Sequence, residues 1–177
     1  MSKVQYDIIG MMSEMKDLGD QIKSEFAMYL NTLQKVKTDY NDGLASIVRI
    51  TCYEDINKIM YGAGFYVILT NYKIDDNHCD FVIDELKAIY RGHSFTTKAR
   101  VKSHIFNKQY KADEQKAIYK VCMKIDDRNG INIDEYPYCN FDWYILQLNM
   151  NGSNKFVREK AEEAFLETFG RPLGSKR

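Results

Sequence analysis

What this chain lacks narrows it first. It has no run of about 18 apolar residues, so no segment reads as a membrane span. Its start, Met1-Ser2-Lys3-Val4-Gln5-Tyr6-Asp7, lacks the apolar stretch of a secretory signal. Both absences point to a soluble, cytoplasmic protein. Cys52, Cys79, Cys122 and Cys139 form no CxxC pair and no Cys/His cluster at zinc spacing, which argues against a structural zinc. Scattered cysteines suit a reducing compartment, where they serve as small buried hydrophobes. There is no internal repeat and no low-complexity tract. Net charge is missing too, since 25 Lys and Arg balance 25 Asp and Glu. Taken alone, that balance disfavours nucleic acid, whose phosphates call for positive protein charge.

The distribution of charge says more than its sum. Between Lys87 and Lys124 stand ten basic residues: Lys87, Arg91, Lys98, Arg100, Lys102, Lys108, Lys111, Lys116, Lys120 and Lys124. Only Asp113 and Glu114 oppose them. Acidic stretches lie on either side, with Asp75, Asp76, Asp80, Asp84 and Glu85 before and Asp126, Asp127, Asp134, Glu135 and Asp142 after. A basic face forms if that middle folds together. A solvated helix face explains the same pattern.

A length of 177 residues suits one domain with an appended helical arm. Met15, Leu18, Ile22, Phe26, Tyr29, Leu33, Val36 and Tyr40 recur every three or four residues, which predicts helix over 11–40, as one helix or as two broken near Gly19. Such a stripe packs on its own domain or on a second copy; the domain is favoured. Asn41-Asp42-Gly43 supplies a stop. A shorter helix is expected over 44–61, on Ile47, Ile50, Ile56 and Ile59. Gly64-Phe65-Tyr66-Val67-Ile68-Leu69-Thr70 reads as a strand, as do Ala88–Gly92 and Trp143–Met150. A helical turn is expected from Asp80 to Leu86, a helix capped by Ser94 or Thr97 and running through Arg100, His104 and Phe106, and helices from Asp113 to Met123 and from Lys155 to Phe169. Asp127-Arg128-Asn129-Gly130 reads as a turn. The order predicts an α+β fold: a small antiparallel sheet of about three strands flanked by helices, with residues 1–60 as an N-terminal helical region and 61–177 as the main domain.

Chemistry-bearing residues follow one another in a telling order. Gly64-Phe65-Tyr66 lies on one strand and Tyr90-Arg91-Gly92 on a second, followed by His93-Ser94. Ten residues after Tyr90 comes Arg100, and His104 stands four further on, one turn along the same helix face. A late helix offers Glu159, Glu162, Glu163 and Glu167.

This arrangement resembles the GIY-YIG nuclease family over roughly residues 62–174. Tyr90-x-Gly92-His93-Ser94, Lys160-Ala161-Glu162 and Pro172-Leu173-Gly174 look most like its small restriction endonucleases. The chain departs from the family in two ways. Tyr66 and Tyr90 are 24 positions apart, so residues 71–87 must form an insertion, and no asparagine follows Pro172.

The resemblance implies an Mg²⁺- or Mn²⁺-dependent endonuclease acting on double-stranded DNA. Tyr66 would then activate or place the attacking water, with Tyr90 supporting it. Arg100 would clamp the phosphate, Glu162 would bind the metal, and His93 and His104 would donate to phosphate or relay a proton. Arg91, Lys98, Lys102 and Lys108 are the candidate DNA-backbone contacts. A double-strand cut by a one-site core points to a homodimer or to sequential nicking. Two alternatives remain open: a phage, mobile-element or repair nuclease of low specificity, and an inactive DNA-binding or interaction module. Each residue alone also has an ordinary reading, as a packed tyrosine, a paired arginine or a solvated glutamate.

Overall fold

The computed structural model describes residues 3–113 and 121–175. A long helix α1 (Lys3–Leu33) leads into strand β1 (Ala45–Ile50), a short 3-10 turn over Tyr53–Lys58 and strand β2 (Gly64–Thr70). Then come β3 (Val82–Ile83), β4 (Leu86–Ser94), α2 (Thr97–Ile105) and α3 (Asn107–Asp113). A small hairpin of β5 (Lys124–Ile125) and β6 (Arg128–Asn129) precedes β7 (Trp143–Asn149) and α4 (Lys155–Phe169). The main sheet has five strands in the order β1-β7-β2-β4-β3. Its pairings are all antiparallel. The α+β class holds, and the sheet is larger than the three strands the sequence suggested.

Alternation along β2 divides the core in two. Phe65, Val67 and Leu69 point into a cluster with Phe81, Phe165, Phe169, Leu30 and Leu33, under α4 and the end of α1. Tyr66 and Ile68 point the other way, towards Val101, Ile105, Phe106 and Trp143, under α2. Because the strand is covered on both faces, its residues read as a continuous apolar run.

Two segments differ from expectation. Residues 45–50 are a strand, where a helix was expected. Ile47, Val48 and Ile50 are β-branched and stiff, and Ile47 serves one core cluster while Val48 and Ile50 serve the other, which suits a pleated strand beside β7. The expected turn of helix at Asp80 to Leu86 is a tight hairpin, in which Ile83 pairs with Leu86 and Asp84 takes a φ of 52°. The helix expected from Asp113 to Met123 falls largely outside the described residues, and residues 121–123 are not helical. The long helix ends at Leu33, before the predicted stop. The stop residue Asp42 instead ties down the next turn. Its carboxylate accepts from the Tyr29 and Tyr40 hydroxyls and from the Leu44 and Ala45 amides. These bonds, led by the Ala45 amide, hold its pKa down at about 2. All four cysteines are free, and only Cys79 is buried.

The 71–87 insertion folds back so that β2 and β4 are neighbours. Asn77 is its anchor: its side chain donates to the Ala88 carbonyl and accepts from the Leu173 amide. It thereby binds the insertion to β4 and to the tail after α4.

Phe165 fills the space between β2 and the insertion, stacking near Phe65, Phe81 and Phe169. Phe165→Ala should cost about 3–5 kcal/mol, read as a lower denaturation midpoint with an unchanged m-value.

Candidate functional site

The β2–β4 register places Tyr66 directly across from Gly92 and Ile68 across from Tyr90. A bulge between Ile68 and Leu69 leaves Ile89 without a partner, so Ile89 and Tyr90 both reach the α2 side. There Tyr66, Tyr90 and His104 gather. Ring centroids lie 6.1 Å apart for Tyr66–Tyr90 and 4.5 Å for Tyr90–His104. The Tyr66 hydroxyl is 3.1 Å from His104 Nε2. Gly92 is required by this arrangement. A Cβ there would sit 2.9 Å from the Tyr66 hydroxyl and 3.2 Å from the Tyr90 ring.

Arg100 joins the cluster from α2, one turn before His104. It acts on the Tyr66 hydroxyl through a hydrogen bond and donates through Nη2 to Cys122 Sγ at 3.2 Å. Burial opposes its charge, but Tyr66, Cys122 and Tyr90 outweigh that and hold its pKa above the usual arginine value. Burial drives the Tyr66 phenol well above 10, helped by Tyr90 and opposed by Arg100. Tyr90 is pushed up to about 12, first by burial and next by Cys122. Burial and the Arg100 charge drive His104 well below 6.5, so it is neutral at pH 7. Arg100 can only donate, so it takes a lone pair of the Tyr66 oxygen. The Tyr66 hydroxyl and His104 Nε2 share a hydrogen bond whose direction the imidazole tautomer sets. His104 Nδ1 is buried without a hydrogen-bond partner among the described residues.

A second group lies on the α4 side of β4. Glu162 accepts from Arg91 Nη1 through one carboxylate oxygen, and its other oxygen is 3.4 Å from His93 Nε2. Burial lowers the His93 pKa, against the pull of Glu162. Glu162 is also near enough to Tyr90 to raise its pKa, which links the two groups across the strand. The other glutamates of α4 are engaged elsewhere: Glu159 with Lys155, Glu163 with Lys160 and Glu167 with Lys23. Glu162, with 29 % of its side chain exposed, reaches both Arg91 and His93 of β4.

All six candidate catalytic residues therefore meet around β4, four on one side and His93 and Glu162 on the other. Two details differ from expectation. Tyr66 has no exposed surface, so its hydroxyl meets no solvent in this conformation. Arg91 is buried against Glu162, where a DNA-backbone contact was expected. The three lysines lie further out. Lys98 bonds Asn57 and Lys102 sits over the Tyr53 ring, both lining a groove with Tyr61. Lys108 is on another side, paired with Glu135.

Sequence reasoning missed Arg158. It is only 1 % exposed, donates to the Ser153 carbonyl and hydroxyl, and stacks at 3.8 Å under the exposed Phe95 ring. The available signal was its position four residues before Glu162, on the same face of α4. Cys122 was also missed, because nothing in its sequence neighbourhood ties it to Arg100.

Among the described residues, no group of three or more His, Cys, Asp or Glu is placed to hold a metal ion. No helix among them is long and apolar enough to cross a membrane. No family model, no curated protein and no solved structure matches this chain.

Two outcomes follow from this geometry. Gly92→Ala should force Tyr66 aside and destabilise the fold by about 1–3 kcal/mol, measured by chemical denaturation. His93 and His104 bind protons less readily folded than unfolded, where histidine titrates near 6.5. Below that value the unfolded chain takes up more protons, so stability falls with pH until the folded values are passed. The melting temperature should drop between about pH 7.5 and about pH 5.5, and His104→Asn should flatten that slope.

Proposed function

We propose that the protein is a metal-dependent endonuclease of the GIY-YIG type, hydrolysing DNA phosphodiester bonds in the cytoplasm, as a sequence-specific restriction enzyme. One observation carries this reading. Tyr66 and Gly92, drawn from two motifs 24–26 positions apart in the chain, face each other across β2 and β4, with Tyr90, Arg100 and His104 around them.

The donor set fits a hard divalent ion in one respect. Mg²⁺ is commonly held by one or two carboxylates and completes its shell with water and phosphate oxygens. Glu162 offers one such carboxylate, partly open to solvent, with an oxygen facing a histidine that burial keeps largely neutral. When bound there, the ion would supply Lewis-acid stabilisation of phosphate charge and a more acidic water.

The chain's own groups divide the remaining work. Arg100, half-buried and firmly charged, holds the phosphate. Tyr66 is a positioning residue in this conformation, orienting Arg100 through its oxygen and holding His104 through Nε2. A phosphate on Arg100 offsets the charge that depresses His104, making that imidazole a better proton acceptor when substrate is bound. His93, beside Glu162, serves as a donor to phosphate or leaving group. Lys98 and Lys102 contact the backbone along the Tyr53–Tyr61 groove.

A second reading, DNA binding without cleavage, rests on the Arg91–Glu162 ion pair, which already gives the carboxylate a cation.

Plasmid incubated with Mg²⁺ should yield discrete fragments, and EDTA should abolish them. Smearing or nicking would mean low specificity. Glu162→Gln should lose cleavage by at least about a hundredfold while retaining DNA binding in a mobility-shift assay. Cleavage at the wild-type rate in that variant would remove Glu162 from the chemistry. Binding without metal-dependent cleavage by the wild type would favour the second reading.

A further inference from the structure

Among the described side chains of α1, those from Ile8 to Leu18 rest on nothing. From Gly19 onward the helix lies on the domain: Gly19 packs against Phe156 and Lys160 of α4, Lys23 pairs with Glu167, and Leu30 and Leu33 are buried. From Ile8 to Leu18 every residue is exposed. Ile8, Ile9, Met11, Met12, Met15 and Leu18 are each 51–68 % exposed. The stripe predicted from the sequence is therefore used only in its later part. The earlier turns gain no burial, and an isolated helix that short is marginal in water.

Five of these six side chains share one face. At 100° per residue, Ile8, Met11, Met12, Met15 and Leu18 fall within about 120° of helix surface. Ile8 and Met15 are seven apart, as are Met11 and Leu18, which is the a/d repeat of a two-helix seam.

We propose that this face pairs antiparallel with the same segment of a second copy, about a two-fold axis at Ser13. That axis sets Ile8 against Leu18 of the second copy and Met11 against Met15, and the reverse. The result is four layers with no polar residue among them. Self-complementarity of this kind is the condition for a closed two-fold interface. The area is adequate. Five side chains exposing about 100 Å² each give about 500 Å² per copy, or about 1,000 Å² in all, the level a specific interface must clear. The remaining face suits a protein neighbour better than a lipid surface. It carries Glu14 and Asp17 against Lys16, where membrane-surface helices are rich in lysine and arginine. Pairing also brings two one-site cores together, as cutting two strands requires, although the inference does not rest on nuclease activity.

Light scattering on the full chain from about 1 to about 100 µM tests this. The wild type should give twice the 20.7 kDa chain mass. Met11→Glu with Met15→Glu should give the chain mass at the same concentrations. Both side chains are exposed in the single copy, so the double variant should keep its circular dichroism. A variant with Ile8→Cys and Leu18→Cys should form a covalent dimer on mild oxidation, and one with Ile8→Cys alone should form far less. A wild type that stays monomeric overturns the proposal. So does a dimer that survives both glutamates, or monomeric protein that co-floats with anionic vesicles through this segment.

Discussion

The pairing of β2 with β4 is the constraint on which the candidate site depends. It sets Tyr66 opposite a residue with no side chain, and the tyrosine ring lies over that gap. A shift of one residue would turn Tyr66 into the α4 core and put Phe65 in its place. The pairing is protected from both sides. Phe165 and Phe81 hold the lower face, Val101 and Ile105 the upper, and Asn77 fastens the insertion that joins the two strands. Gly174 donates to the Ile89 carbonyl, so the tail after α4 also braces β4 where its outer edge has no strand partner.

Burial then determines the chemistry. In water, a tyrosine, a histidine and an arginine would each titrate near their ordinary values. Packed together out of solvent, the phenols stay protonated, the imidazole stays neutral, and the arginine keeps its charge because the oxygens and sulfur around it favour the cation. One fixed positive charge therefore sits among neutral hydrogen-bonding groups, an arrangement suited to an anionic ligand. On the far side of the strand, Arg91 balances Glu162, and Arg158 lies beneath Phe95 with Glu159 near enough to favour its charge. The two sides communicate through Tyr90, whose pKa responds to both Arg100 and Glu162.

α1 shows how one periodic pattern can serve two purposes. Its later turns bury Leu30 and Leu33 in the domain and carry the Tyr29 hydroxyl to Asp42. Its earlier turns extend the same spacing into solvent, where only another surface can use it. The hydrophobic stripe determines which face is apolar, and the extent of the domain determines how much of that face is covered.

Much was legible from sequence alone. β2 and α4 could be placed residue by residue, because a bounded β-branched run and a capped, Gly-terminated helix have strong local signals. The candidates Tyr66, Tyr90, Arg100 and His104 could be named because their motifs and order resemble those of the GIY-YIG nucleases. Other features were decided only by tertiary contacts. β1 is a strand because β7 offers it an edge, and Ile47, Ile50, Ile56 and Ile59 fit a helix equally well until that edge exists. Arg91 turned inward because Glu162, 71 positions later, lies across from it. Arg158 met Phe95, and Cys122 met Arg100, through contacts between residues well separated in the chain. The sequence by itself determined which residues have chemistry to offer and on which kind of element they sit. The tertiary structure decided which of them meet, which are sealed from water, and which charges are already paired, because those depend on contacts between segments that no local pattern encodes.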